Sequence, residues 1–301
     1  MTRRGADALL VAATFLWGSS FVLVKSALAY SSPLTFLALR FAVAAILLAP
    51  FVRWRPFPDA RELAAGALLG ALLATGFAAN TIGLVYTTPS RSAFIVASSS
   101  VLTPLVAFLV VRERPRWTAV AALAVATAGM YFLTDPSAGG LNRGDLWTLG
   151  TAVAFGGQIV AVSELGRRFD VGRLVWMQTA ITAVAAGLAA VLVENVRVEW
   201  TPALLAALGY CAVFATAVAL LWQMRAQREM SSTRAALLFC FEPAFAAAAS
   251  WLVLGERLSD AQWLGAALIL GGMVLADLPR RRLADRGAVV EHMRHARRPE
   301  V

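Results

Sequence analysis

Ten apolar runs, each long enough to cross a bilayer as a helix and joined by short polar links, constrain this chain more than any other feature. A transmembrane helix needs about 20 residues to cross a hydrocarbon core roughly 30 Å thick. The runs fall at 7–29, 33–52, 63–84, 89–111 and 117–134, then at 145–165, 174–193, 202–224, 233–254 and 261–278. Backbone groups in lipid must find partners within their own segment, so these runs predict helices rather than strands. Gly66, Gly70, Gly76 and Gly83 recur along the third run, as close helix packing in lipid favours. Apolar residues make up 59% of the chain and charged residues 15%, too little polar surface to cover a water-soluble body.

The net charge of +9 would suit a nucleic-acid binder only if it gathered on one folded face. Instead the arginines sit between the runs, and they alternate. If the N-terminus is cytoplasmic, the inside links hold Arg3, Arg4, Arg53, Arg55, Arg61, Arg112, Arg114, Arg116, Arg167, Arg168, Arg173, Arg225, Arg228 and Arg234. The tail beyond the last run adds Arg280, Arg281, Arg282, Arg286, Arg294, Arg297 and Arg298, whereas the outside links hold only Arg143, Arg197 and Arg257. The positive-inside rule then predicts an even number of spans with both termini in the cytoplasm. Arginine outnumbers the single lysine, Lys25, which points to a GC-rich bacterial genome and so to a bacterial inner membrane. The opening residues imitate a signal peptide up to Ala27-Leu28-Ala29, but Lys25 interrupts that run, and a retained first span is expected. Cys211 and Cys240 lie inside apolar runs, so a disulfide framework is excluded.

The chain also repeats itself. Arg112-Glu113-Arg114 ends the fourth run and Gly255-Glu256-Arg257 the ninth; fifteen residues after each glutamate comes a small residue followed by Gly-Met, at Ala128-Gly129-Met130 and Gly271-Gly272-Met273. Trp17-Gly18 is matched by Phe155-Gly156. Five spans per copy is an odd number, so consecutive copies must lie upside down to one another, an arrangement that recurs in secondary transporters with a binding site between the halves. The expected organisation is a first five-helix repeat over 1–138, an inverted second repeat over 139–279, and a basic cytoplasmic tail over 280–301.

Leu16-Trp17-Gly18-Ser19-Ser20-Phe21-Val22 through Lys25, Pro33-Leu34-Thr35-Phe36 with Arg40, Gly83-Leu84-Val85-Tyr86-Thr87-Thr88 and Ala93-Phe94-Ile95 carry a resemblance. With the two glutamate-arginine junctions, they resemble the EamA-domain proteins of the drug/metabolite transporter superfamily over residues 7–278. Within it the chain looks most like the YddG-type exporters of aromatic and other amino acids. The resemblance implies an all-α membrane fold of ten helices in two inverted repeats around a central cavity, and alternating access. It also implies a small-molecule cargo such as an amino acid, drug-like cations or phosphorylated sugars being the alternatives, and a non-transport membrane scaffold the rival from another class.

Ionisable groups inside a bilayer are costly and mark candidate sites. Glu242, nine residues into the ninth run and followed by Pro243, is placed near the midplane, to bind a substrate amine or carry a coupling proton. Arg40, in the second run, can attract a substrate carboxylate or pair with Glu242. Lys25 lies near its helix end, where it can snorkel to the interface or reach a substrate in the cavity. Asn80, Gln158, Gln178 and Tyr210 are polar groups in span interiors, available to a cavity or to helix packing. Trp17, Trp176 and Trp222 can wall an apolar pocket, whereas Trp54, Trp147, Trp200 and Trp251 suit an interfacial belt. Pro104 and Pro243, with Glu113 and Glu256, are the structural or gating candidates. Pro104 stands nine residues before Glu113 and Pro243 thirteen before Glu256, so the kinks are expected about one turn out of register. The chain carries no P-loop, and its two histidines, His292 and His295, lie in the tail. A transporter rather than an enzyme is expected, without metal or cofactor and with a proton as the possible coupling ion.

Overall fold

A computed structural model of the chain describes residues 2–54, 56–112, 117–133 and 142–255, together with 259–261, 263–265, 267–268, 271–272 and 275. The described residues are helical almost throughout, the one extended contact being a bridge between Ser31 and Val198. Helix α1 spans Arg3–Ala27, α2 Pro33–Leu48, α3 Ala60–Tyr86, α4 Pro89–Ala97, α5 Ser99–Val111 and α6 Trp117–Leu133. Helix α7 spans Arg143–Arg168, α8 Val171–Val193, α9 Pro202–Ala212, α10 Ala219–Gln227, α11 Ser232–Phe239 and α12 Glu242–Leu254. Taking α4 with α5, α9 with α10, and α11 with α12, eight helical segments are long and apolar enough to cross a membrane. Helix α6 is a shorter apolar helix at the place of the fifth expected span. The tenth expected span, 261–278, lies largely outside the described residues, as do Glu113 and Glu256; the described residues from 260 to 275 are helical. The side chains facing outward are the large apolar ones, such as Ile46, Leu109, Leu188 and Leu252, as a lipid-facing surface requires.

Local chemistry starts and stops these helices. Asp59, Thr88, Asp170, Thr201 and Ser231 each accept a backbone N–H from the first turn they precede. Proline occupies the first turn of α2, α4 and α9, where its missing N–H costs nothing. Helices α5 and α12 both end on a left-handed residue, Arg112 at φ 55° and Gly255 at φ 68°; these are the matched positions of the two glutamate-arginine junctions. Glycine takes that conformation freely, and Arg112 takes it at a cost.

Two spans are broken in the middle. The fourth breaks at Ser98, between α4 and α5, and the ninth at Cys240–Phe241, between α11 and α12. The expectation that Pro104 kinks the fourth span out of register with the ninth is corrected: Pro104 sits inside α5, six residues past the break. The carbonyl that the Pro104 ring meets, four residues back at Ser100, lies inside α5, so Pro104 does not by itself place the break at Ser98. Both spans thus consist of a short half-helix followed by a 13-residue helix, in matched register.

A third irregularity was not expected. Residues Val213–Val218 form a π-helical segment between α9 and α10, whereas α3, at the corresponding place in the first half, runs unbroken for 27 residues.

Close crossings bring the halves together. An added Cβ on Gly144 would stand 2.5 Å from the Gly83 carbonyl oxygen, and one on Gly76 would enter the Phe155 ring. Glycine at these positions lets α3 lie against α7 nearly backbone to backbone. The start of α7 lies beside the end of α1, because Lys25 donates to the Thr87 carbonyl and Thr87 donates to Asp145. Likewise Arg234 pairs with Asp7 near the end of α7 where Arg167 reaches the Met230 carbonyl, so α1 and α7 run in opposite directions.

Candidate functional site: a charged cavity between the halves

A cavity lies among the helices, lined from both halves of the chain. From the first half it is lined by Trp17, Ser20, Phe21, Val24, Arg40, Leu73, Phe77, Asn80, Leu84, Val96 and Ser99. From the second half it is lined by Phe155, Gln158, Ile159, Leu220, Gln223, Phe239 and Glu242. Two charges face a wall that is otherwise apolar, aromatic or neutral and polar.

Arg40 is held on α2 with only 2% of its surface exposed. A buried guanidinium needs its donors satisfied. Its Nε donates to Thr216 Oγ1 at 2.7 Å and its Nη2 to the Ala215 carbonyl at 3.0 Å, both within the π-helical segment. Trp17 Nε1 donates to the same carbonyl at 2.8 Å, and Thr216 passes its own proton to the Cys211 carbonyl at 2.7 Å. The widened turn therefore frees polar groups that Arg40 and Trp17 collect. The guanidinium carbon also lies 4.9 Å from the Phe77 ring centroid, within cation–π range.

Glu242 opens α12, immediately after the break at Cys240–Phe241. Among the described residues it has neither a hydrogen bond nor an ion pair, and its side chain lines the cavity. The expected Arg40–Glu242 pair is not formed: two arms of the guanidinium are spent on the π segment, and the carboxylate stays unpartnered.

The other polar lining groups are tied to each other. Asn80 donates to Ser92 Oγ at 3.1 Å. Gln223 donates to Gln158 at 3.2 Å and Gln158 to Gln178 at 3.4 Å, a chain of three amides leading from the cavity into the second half.

Three sequence candidates lie elsewhere. Lys25 does not line the cavity; its Nζ donates to the carbonyls of Leu84, Val85 and Thr87 at 2.6, 3.2 and 3.1 Å, satisfying the end of α3. Tyr210 shares a hydrogen bond of 2.7 Å with Ser19, away from the cavity wall. Trp176 donates to the Ala45 carbonyl and meets Trp54 edge to face, so it joins the packing of α2 and α8 instead. Pro243 is buried beside the break of the ninth span and Pro104 is buried six residues past that of the fourth; neither lines the cavity wall.

The model of the EamA-like transporter family matches the chain twice, over residues 4–135 and 142–276. The chain belongs to the EamA-like transporter family. An "Uncharacterized transporter" from Archaeoglobus fulgidus is 32% identical over 91% of this chain and 86% of the relative. The "Uncharacterized inner membrane transporter YedA" of Escherichia coli is 28% identical over 89% of each. A crystal structure with 21% identity superposes at a TM-score of 0.77, covering 94% of this chain and 99% of the other, and so shares its fold. This EamA-like transporter is therefore a multi-pass membrane protein and not an enzyme by family.

The double match explains the cavity wall. Trp17, Ser20 and Phe21 recur 138 positions later (155 minus 17) as Phe155, Gln158 and Ile159. Phe77, Asn80, Val96 and Ser99 recur 143 positions later (242 minus 99) as Leu220, Gln223, Phe239 and Glu242. Every cavity residue of the second half thus stands where the first half also supplies one. Gln223, Phe77, Phe239, Ser20 and Ser99 were not singled out in the sequence; carrying Asn80 forward by the repeat distance would have found Gln223. Neither charge has a charged counterpart in the other copy: Glu242 answers Ser99, and Arg40 answers Gln178, which is fully buried beyond the wall.

Proposed function

We propose that the chain exports amino acids, aromatic ones included, or closely related metabolites across a bacterial inner membrane by alternating access. The observation that carries this reading is the pair of opposite charges on one cavity: the unpartnered Glu242 carboxylate and the Arg40 guanidinium, set among Trp17, Phe21, Phe77, Phe155 and Phe239. A zwitterion with an apolar side chain matches those three features, its ammonium toward Glu242, its carboxylate toward Arg40 and its side chain against the rings. The family, the double match and the antiparallel course of α1 and α7 support ten spans in two inverted five-helix repeats, 1–138 and 139–279, that rock about the cavity. Arginine alternation supports cytoplasmic termini for this arrangement. Glu242 is the group that carries a coupling proton where coupling exists.

A second reading has its own support. Arg40 already spends Nε and Nη2 on the π segment, which leaves Glu242 as the charge without a partner. That balance favours a drug-like cation over an anion, and a phosphorylated sugar fits least, since one guanidinium is the cavity's whole positive charge among the described residues.

The test is uptake by purified protein in liposomes, with labelled aromatic, aliphatic and acidic amino acids and a lipophilic cation, with and without a pH gradient. Saturable uptake of aromatic amino acids supports the first reading. Uptake of the cation alone replaces it with the second.

A further inference from the structure

Four ionic side chains outside the cavity are arranged twice over. Arg234 is the third residue of α11, and its backbone N–H donates to the Ser231 cap at 3.3 Å; its side chain grips Asp7 of α1, with Nε 2.8 Å from Oδ1. Arg91 is the third residue of α4, and its backbone N–H donates to the Thr88 cap at 3.3 Å; its Nη2 lies 2.8 Å from Oδ2 of Asp145 on α7. These are equivalent positions under the distances that relate the cavity walls, since 145 minus 7 is 138 and 234 minus 91 is 143. Each pair joins one family match to the other.

The two pairs lie at opposite ends of the molecule. Asp7 begins α1, and Lys25 ends it beside Thr87, Arg91 and Asp145. At 1.5 Å per residue, that helix separates them by about 27 Å.

A second set of bonds stays inside each copy. Lys25 holds the carbonyls of Val85 and Thr87 in the first half, and Arg167 holds those of Arg228 and Met230, the equivalent carbonyls, in the second. Each of these cations ties the first helix of its copy to the link just before the arginine-bearing half-helix. The arginine therefore travels with its own copy, and its ion pair is one of the bonds that cross to the other.

The geometry points to these two pairs as alternating latches of the transport cycle. Asp7–Arg234 parts when the cavity opens at the Asp7 end, and Arg91–Asp145 parts when it opens at the opposite end. This rests on the reading that the two copies rock about the cavity. The latches are unequal. Asp145 is wholly buried, accepts from Thr87 and forms a capping box with Asn142, whereas 23% of the Asp7 side chain is exposed. A partly hydrated pair is the easier to part, so the Asp7 end opens more readily.

The test needs no known cargo. A single cysteine replaces Ser20 on the cavity wall, and its labelling by a membrane-impermeant maleimide is measured in vesicles of each orientation; the parent chain, with Cys211 and Cys240 buried, supplies the background. In Asp7→Asn, labelling from the Asp7 end rises about fivefold or more relative to the other end, and the charge swap D7R/R234D returns the ratio toward that of the parent. Asp145→Asn shifts the ratio the opposite way. Because Asp145→Asn can fail to fold, D7C/R234C bridged by a short bismaleimide serves as the second arm: it blocks labelling from the Asp7 end and spares the other. If Ser20→Cys labels from both sides but none of these changes moves the ratio, the latch assignment is overturned and rocking survives. Labelling from one side only in every variant overturns rocking itself.

Discussion

A Cβ on Gly18 would stand 2.7 Å from the carbonyl oxygen of Glu242, so α1 touches the broken ninth span at the residue that carries the unpartnered carboxylate. The Cβ of Phe245 would be as close, and the amide nitrogen of Ala246 lies at 3.0 Å. Neither backbone atom can yield without moving the helix.

Gly18→Ala is therefore expected to push α12 away and displace Glu242 from the cavity. Overpacking of this kind costs about 1–3 kcal/mol. The expected outcome is a lower melting temperature together with uptake reduced tenfold or more, read by thermal unfolding in detergent and by liposome flux. Gly209→Ala is the control, because a Cβ there meets nothing within 4 Å; it should change neither quantity.

Thr216 couples Arg40 to the π segment, accepting from Nε and donating to the Cys211 carbonyl. Thr216→Val keeps the shape and removes both bonds. Losing a bond to a charged group costs about 1.5–3 kcal/mol, and the released guanidinium should reorient within the cavity. The expected result is a destabilised protein whose KM for a carboxylate-bearing cargo changes while its KM for a purely cationic one does not. An unchanged melting temperature would mean that the segment holds its shape without Arg40.

Glu242 is the test of proton coupling. The parent protein should show uptake that depends on an imposed pH gradient, and Glu242→Gln should bind cargo more weakly, having lost the counter-charge to its ammonium, and not respond to that gradient. Counterflow exchange, which needs no net coupling, should survive in the variant. A gradient response equal to that of the parent removes the proton role from this residue.

Lys25 satisfies three carbonyls at the end of α3 and lines no cavity wall. Lys25→Met should destabilise the protein by about 1–3 kcal/mol and leave KM unchanged for whatever cargo is found. A KM effect without a stability effect would instead return Lys25 to the substrate path.

Much of this architecture is written in hydropathy. Of the ten apolar runs, eight appear as helical segments long and apolar enough to cross a membrane, because burial in lipid depends on composition averaged over twenty residues and not on any single contact. Glu242 was legible because a carboxylate before a proline in such a run is conspicuous. The π segment was not: Val213-Phe214-Ala215-Thr216-Ala217-Val218 reads as ordinary apolar helix, and what supports its widened turn is Arg40, 176 residues from Thr216 in the chain. The break at Ser98 was hidden by Pro104, the more obvious breaker. Asp7 and Arg234 are 227 residues apart, and a count of arginines for topology treats each as a lone charge rather than half of a bond. Lys25 and Tyr210 were misplaced for a related reason: position along a span gives depth but not the direction a side chain faces.

The π segment also gives the duplicated chain a direction. Its partner in the first half, α3, is an unbroken helix of 27 residues, whereas the second half carries the widened turn at the same place. Two copies of one motif would give a machine whose forward and return strokes mirror each other. If the copies rock about the cavity as proposed, one continuous and one interrupted member would make the two strokes distinct, and a cargo entering from either side would meet a different resistance.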